Sequence, residues 1–212
     1  MNIIRKPYAL LVFCFVFTMA FFCGAGNNKA EALTDDSTLT TTVLEYLSFS
    51  LTAGDSVGFG NLTPGTPIAA PATGTIASVT TSASNGYILA VHDGEAGSNS
   101  SMTHTDATTK ITDFTLGDIT TPAAWGAGTG VGITLFAADT NKEAKWGTGT
   151  TYDDANNSYA AVPQTATVAH TVTGFLSSAD TSSWAFKIDV PNTQKTGAYS
   201  GTVTFTATAV LS

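Results

Sequence analysis

The chain has 212 residues, of which only 11% are charged, and a formal net charge of −8. That length suffices for one domain with a sizeable core, and the acidic balance argues against nucleic acid as a partner. Both cysteines, Cys14 and Cys23, fall in one apolar run near the N-terminus, so the rest of the chain can hold neither a disulfide nor a thiolate metal site.

The N-terminus has the three parts of a secretory leader. Arg5 and Lys6 supply positive charge, Leu10 to Phe22 are apolar, and Ala30-Glu31-Ala32 places small residues where signal peptidase needs them. Cleavage before Leu33 gives a signal peptide at residues 1–32 and a single domain at residues 33–212. That domain carries five lysines against fifteen acids, a net charge of −10. It would be repelled by nucleic acid and by anionic headgroups, so no membrane partner is expected after cleavage. The alternative is an uncleaved anchor, because the run from Ala9 to Ala25 is near the lower limit for spanning a bilayer. Lipid attachment at Cys23 is disfavoured by the bulky Phe22 before it. The expected location is secreted or cell-surface.

Period-two alternation then predicts nine or ten strands and no strong helix. The first runs from Thr40 to Leu51, with Leu47, Phe49 and Leu51 on one face. Pro64-Gly65 suits a type II turn. Strands at Thr75–Thr81 and Tyr87–Val91 follow, and Asn85-Gly86 between them reads as a hairpin turn because both residues tolerate positive φ. Gly94 to Thr109 reads as a long polar loop. Further strands are predicted at 110–116, 132–137, 158–162 and 165–173, separated by polar or Gly-rich stretches that carry Trp125, Trp146 and Tyr152.

The closing stretch has the clearest alternation. Trp184, Phe186, Ile188 and Val190 share one face, as do Val203, Phe205, Ala207, Ala209 and Leu211 after them. Thr202, Thr204, Thr206 and Thr208 share the opposite, wet face. The chain has 38 threonines, a β-branched and polar residue suited to the solvent side of a strand. The terminal strand is long, uncharged and free of proline. It must therefore be paired inside its sheet or used for assembly, and pairing with Trp184–Val190 on one side is expected. Many short strands with turns between them indicate an all-β fold, an antiparallel two-sheet sandwich or jelly roll.

The frames TTSASNGYILAV from Thr80, GITLF from Gly132 and FKIDVPNTQKTGAYSGTVTFTATA from Phe186 resemble a diffuse group of exported bacterial surface proteins. The strand after Gly197-Ala198-Tyr199 is similar to the last strand of WxL-type cell-wall-associated domains. It also resembles the end of spore-coat and pilin-like β-sandwiches. The tryptophans, however, stand in Trp125-Gly126-Ala127, Trp146-Gly147-Thr148 and Trp184-Ala185-Phe186. No Trp-x-Leu tripeptide exists, so peptidoglycan binding by that mechanism does not carry over.

Several motifs bear on chemistry. Gly54-Asp55-Ser56-Val57-Gly58 matches a nucleophile elbow, but the following Phe59 to Pro64 cannot readily form the helix that motif needs. Asp139 to Glu143 begins like a calcium loop, yet its sixth position is Ala144 and its twelfth Thr150. Asp93, Glu95, Asn99 and Asp106 form either an irregular calcium site or a solvated acidic loop, with the loop favoured and no cofactor otherwise expected. His92, His104 and His170 are too scattered to imply zinc. Trp125, Trp146 and Tyr152 either stack on sugars or cover the open end of the core, with the core reading favoured. Asn61, Asn99 and Asn156 begin glycosylation sequons.

No acid, base and nucleophile converge in the sequence, so a non-enzymatic structural or adhesive protein of the cell envelope is expected. Its partners would be an envelope component or further copies of itself. The alternatives are a carbohydrate-binding module and a pilin-like subunit assembling by strand addition. The Ala30-x-Ala32 pattern predicts that intact-mass measurement of exported protein finds a chain beginning at Leu33. A membrane-bound species retaining residues 1–32 would instead establish the anchor.

Overall fold

In the computed structural model, residues 37–94 and 100–211 are described, and the leader cleavage residues Ala30, Ala32 and Leu33 lie outside them. The chain divides into two units, residues 1–42 and 43–212, and the strands among the described residues belong to the second. In chain order the strands are β1 (Leu47–Ala53), β2 (Ile68–Thr81), β3 (Tyr87–Asp93), β4 (Ser100–His104), β5 (Lys110–Thr112), β6 (Ala123–Ala124), β7 (Gly130–Ala138), β8 (Ser158–Ala161), β9 (Thr167–Val172), β10 (Asp180–Asp189), β11 (Tyr199–Ser200) and β12 (Val203–Ala209). A 3-10 turn covers Ala144–Trp146. The fold is an all-β sandwich, as alternation predicts.

One layer is a six-stranded sheet in the order β1-β2-β10-β7-β8-β6. The facing side is divided between a three-stranded sheet β12-β3-β9 and a smaller one, β11-β4-β5. All pairings between named strands are antiparallel. Ala77, Val79, Leu135, Trp184 and Phe186 from the large sheet meet Tyr87, Leu89, Val91, Val172 and Phe205 from the facing one. Ile188, Val190 and Val131 pack instead with Ile111 and, at the edge, Met102 and Tyr199. Inward positions on β3 alternate strictly with half-exposed ones, the pattern of a sheet with one wet face. Central β10 is buried along most of its length, because β2 and β7 flank it on either side.

Three expectations are corrected. β12 does not pair with β10: it pairs with β3, in unbroken register from Val203↔Asp93 to Ala209↔Tyr87. The connection after Val190 therefore crosses between layers, and β12 lies at the edge of its sheet. Asn85-Gly86 is not a hairpin turn either, since β2 and β3 belong to different sheets. Gly86 does adopt φ +81, and a Cβ there would run into the Val172 carbonyl. The same left-handed backbone thus turns a sandwich corner. Finally, the expected loop from Gly94 to Thr109 contains β4, whose Ser/Thr composition hides a strand that pairs with β5 and β11. The Pro64-Gly65 turn forms as expected, with Thr66 N–H donating to the Thr63 carbonyl at 3.0 Å and φ +77 at Gly65.

Phe205 is buried at 8% exposure and meets the Trp184 ring edge-on, at 5.7 Å between centroids. Phe205→Ala is expected to cost about 3–5 kcal/mol, as large-to-small core changes do. Chemical denaturation measures this, and a loss below about 1 kcal/mol would contradict the packing described.

Candidate functional site

The aromatic candidates separate rather than converge. Trp125, between β6 and β7, is 6% exposed and stacks on Phe114 at 4.6 Å, with its edge toward Tyr159 at 5.3 Å. The ammonium of Lys187 on β10 sits 5.4 Å from the Trp125 ring centre and 5.3 Å from that of Tyr159, and burial lowers its pKa. Trp146, in the 3-10 turn, is fully buried. Its Nε1 donates to the Ala169 carbonyl at 3.2 Å and its ring meets Trp184 edge-on at 5.5 Å. Tyr152 is half-buried and accepts the Tyr159 hydroxyl at its own carbonyl, 3.4 Å away. Neither indole offers a face on which a sugar could stack, so both cover core, and the stacking role is not supported.

The acidic candidates also part company. Glu95 and Asn99 lie outside the described residues. Asp93, at the end of β3, is buried. Asp106 accepts the Lys195 ammonium at 2.8 Å, the backbone N–H groups of Thr108 and Thr109 at 3.0 and 2.8 Å, and the Thr109 hydroxyl at 2.8 Å. Those bonds, Lys195 first, hold its carboxyl well below the usual range. A cation there would have to displace Lys195 and undo the turn. Among the described residues, no group of three His, Cys, Asp or Glu side chains could hold a metal.

The histidines are structural brackets. His104 Nδ1 accepts the Asp106 N–H at 3.0 Å, which leaves Nε2 to donate to the Thr196 carbonyl at 3.2 Å. That ring also packs on Tyr199 at 4.9 Å. His170 is buried and its Nδ1 lies 2.8 Å from Glu143 Oε2, while Glu143 Oε1 accepts the Thr171 N–H at 2.7 Å. His92 Nδ1 lies 2.7 Å from the carbonyl of Asp93.

The loop that begins like a calcium site is likewise committed. Asp139 accepts the Thr181 N–H and hydroxyl at 3.0 and 2.6 Å, and Asn141 donates to the Thr171 carbonyl at 3.2 Å. Ser56 is exposed between β1 and β2, with no helix after it.

Two features escaped the sequence reading. One is Asp113, buried beside Ser101, whose hydroxyl donates to its Oδ1. Burial pushes the carboxyl up to about 6; the Ser101 bond opposes that rise and the charge of Asp93 adds to it. Its one sequence signal is an acid set between Ile111 and Phe114, both of which are buried. The other is the place of β12: the sequence marks its edge as one that must be paired or used, and the structure leaves that edge open, with β3 as its strand partner. Thr204, Thr206 and Thr208 are exposed on its wet face, and Phe205 is buried beneath. No charged residue occurs from Thr196 onward, and that uncharged run is the signal for the edge.

Above pH about 6 the folded state carries the Asp113 charge at a cost. As pH falls from there toward the ordinary aspartate range, the folded protein takes up the proton before the unfolded chain does, and this contribution to stability rises. Asp113→Asn, which keeps an oxygen for Ser101, is expected to stabilise the protein at pH 7. Its advantage should vanish below about pH 4, where wild-type Asp113 is already neutral. Denaturation of both proteins across pH reads this difference, and an Asn variant less stable at pH 7 would contradict it.

Comparison with family models, curated proteins and solved structures finds no match for this chain.

Proposed function

We propose that this protein is a non-enzymatic, exported component of the cell surface, structural or adhesive, that works by contact and assembly. The observation that carries the reading is β12: an uncharged edge strand, paired on one side only, with a threonine face toward solvent. Such an edge is a template for another strand unless charge, proline, a bulge or a covering element blocks it. The N-terminal leader pattern supports export. Asp106, Asp139, Glu143 and His104 hold turns and loops in place, which suits a protein that works by contact.

A pilin-like subunit that assembles by strand addition is the second reading, and the same edge favours it. Fractionation of the producing cells, with a membrane-impermeant crosslinker, tests the proposal. The protein is expected in the envelope or medium fraction and in crosslinked species larger than one chain. Recovery only from the cytoplasm would overturn it.

A further inference from the structure

The register of β12 determines which of its backbone groups are free. Val210 N–H donates to the Gly86 carbonyl at 2.9 Å, and Gly94 N–H donates to the Thr202 carbonyl at 3.3 Å. In an antiparallel ladder, residues alternate between exchanging hydrogen bonds with one neighbour and facing the other. The even-numbered residues from Thr202 to Val210 therefore bond to β3. The N–H and C=O groups of Val203, Phe205, Ala207 and Ala209 point away from it, toward the open edge.

The other sheet edges are each blunted in some way. β6 and β11 are two residues long, and β5 is three and begins with Lys110. β9 breaks register opposite Leu89 and Ala90, where Ala169 bulges. β1 shifts register between Leu51 and Ala53 and lies between Glu45 and Asp55. β12 alone is seven residues long, in unbroken register, with no charge and no proline. Natural edges are rarely left so open.

The sequence VTFTATA also fits itself. Two antiparallel copies centred on Thr206 bring Phe205 opposite the partner's Ala207 and Val203 opposite the partner's Ala209. Large then meets small on the core side at every pair, and these are the residues whose backbone groups are free. On the wet face Thr206 meets its own copy, and Thr204 meets the partner's Thr208. This is a ladder of threonine pairs of the kind that stabilises a sheet. For a chain of net charge −8, an uncharged strand is also where two copies approach with least repulsion. Half-exposed Leu47, Phe49, Leu51, Val203 and Ala207 at the rim of the core lie along β1 and β12, and a partner placed here would cover them.

We propose that two copies of this chain join edge to edge through β12, antiparallel and centred on Thr206, to make one sheet in the order β9-β3-β12-β12-β3-β9. The inference rests on the assembly reading above and names the partner as a second copy. The pairing is isologous, so it closes at two copies and does not grow into a filament.

Cysteine crosslinking of the full chain in neutral detergent tests it, with Cys14 and Cys23 changed to serine. Residues 206 and 206 face each other at a non-hydrogen-bonded position, about 4.5 Å between Cα atoms, within disulfide reach. Thr206→Cys is expected to oxidise to a dimer. Thr204→Cys and Thr208→Cys should each give no disulfide-linked dimer alone and crosslink when mixed.

Thr206→Lys sets like charges face to face and should weaken association in sedimentation by about tenfold or more. Thermal unfolding of the diluted protein should not change, because this side chain is exposed. A monomer at all concentrations overturns the proposal. So does equal crosslinking at the three positions, or a ladder of species beyond the dimer. A monomeric protein displayed on the cell surface would sink this pairing alone. A dimer confined to the cytoplasm would sink the surface reading and leave the pairing standing.

Discussion

The structure depends on one contact between its layers, the burial of Trp184 from central β10 against rings on three other elements. Trp184 has no exposed surface; Trp146 approaches it edge-on from the 3-10 turn, and Phe205 and His170 approach from the facing sheet at 5.7 and 6.5 Å. Its indole N–H is satisfied within its own strand, by Ser182 Oγ at 3.0 Å, so burying the ring strands no polar group. No cysteine occurs after Cys23. Cohesion between the sheets comes from this packing and not from a covalent tie, and edge-to-face rings add specificity beyond the area they bury.

Around that core, charge is used sparingly and locally. Asp106, Asp118 and Asp154 each turn back on backbone N–H groups two to four residues away, a short-range bond that folds a turn without help from the rest of the chain. Asp139 and Glu143 act at longer range and tie the β7–β8 connection to β10 and β9. Among the carboxylates that looked like ligands in the sequence, Asp106, Asp139 and Glu143 are thus anchors for loops, with oxygens that accept hydrogen bonds from the protein itself.

What could be read from the sequence follows the range of the interaction. Alternation at Trp184, Phe186 and Ile188, and at Val203 and Phe205, reports which side of a strand is buried, a property of the strand alone. The need for positive φ at Gly86 and Gly65 is equally local. Where a strand goes next is not. A turn at Asn85-Gly86 serves a hairpin or a corner equally well, and the connection after Val190 is long enough to return to β10 or to cross to β3. The choice is made by partners far away in sequence. The tryptophans show the same limit, for glycine-rich neighbours say that Trp125 and Trp146 lie off the strands but not that the chain folds them inward over Phe114 and Trp184.

Strand order also bears on when the fold can form. β2, which ends at Thr81, meets β10 only from Asp180, and β3, which ends at Asp93, waits for β9 at Thr167 and β12 at Val203. As the chain emerges from the ribosome, its first long strands have made few of their final pairings, and Phe205 is not there to meet Trp184. Pairings this distant close slowly and together, because loop entropy is lost before contacts repay it. With the strands that complete both large sheets placed last in the chain, the sandwich can close only after nearly all of it has been made.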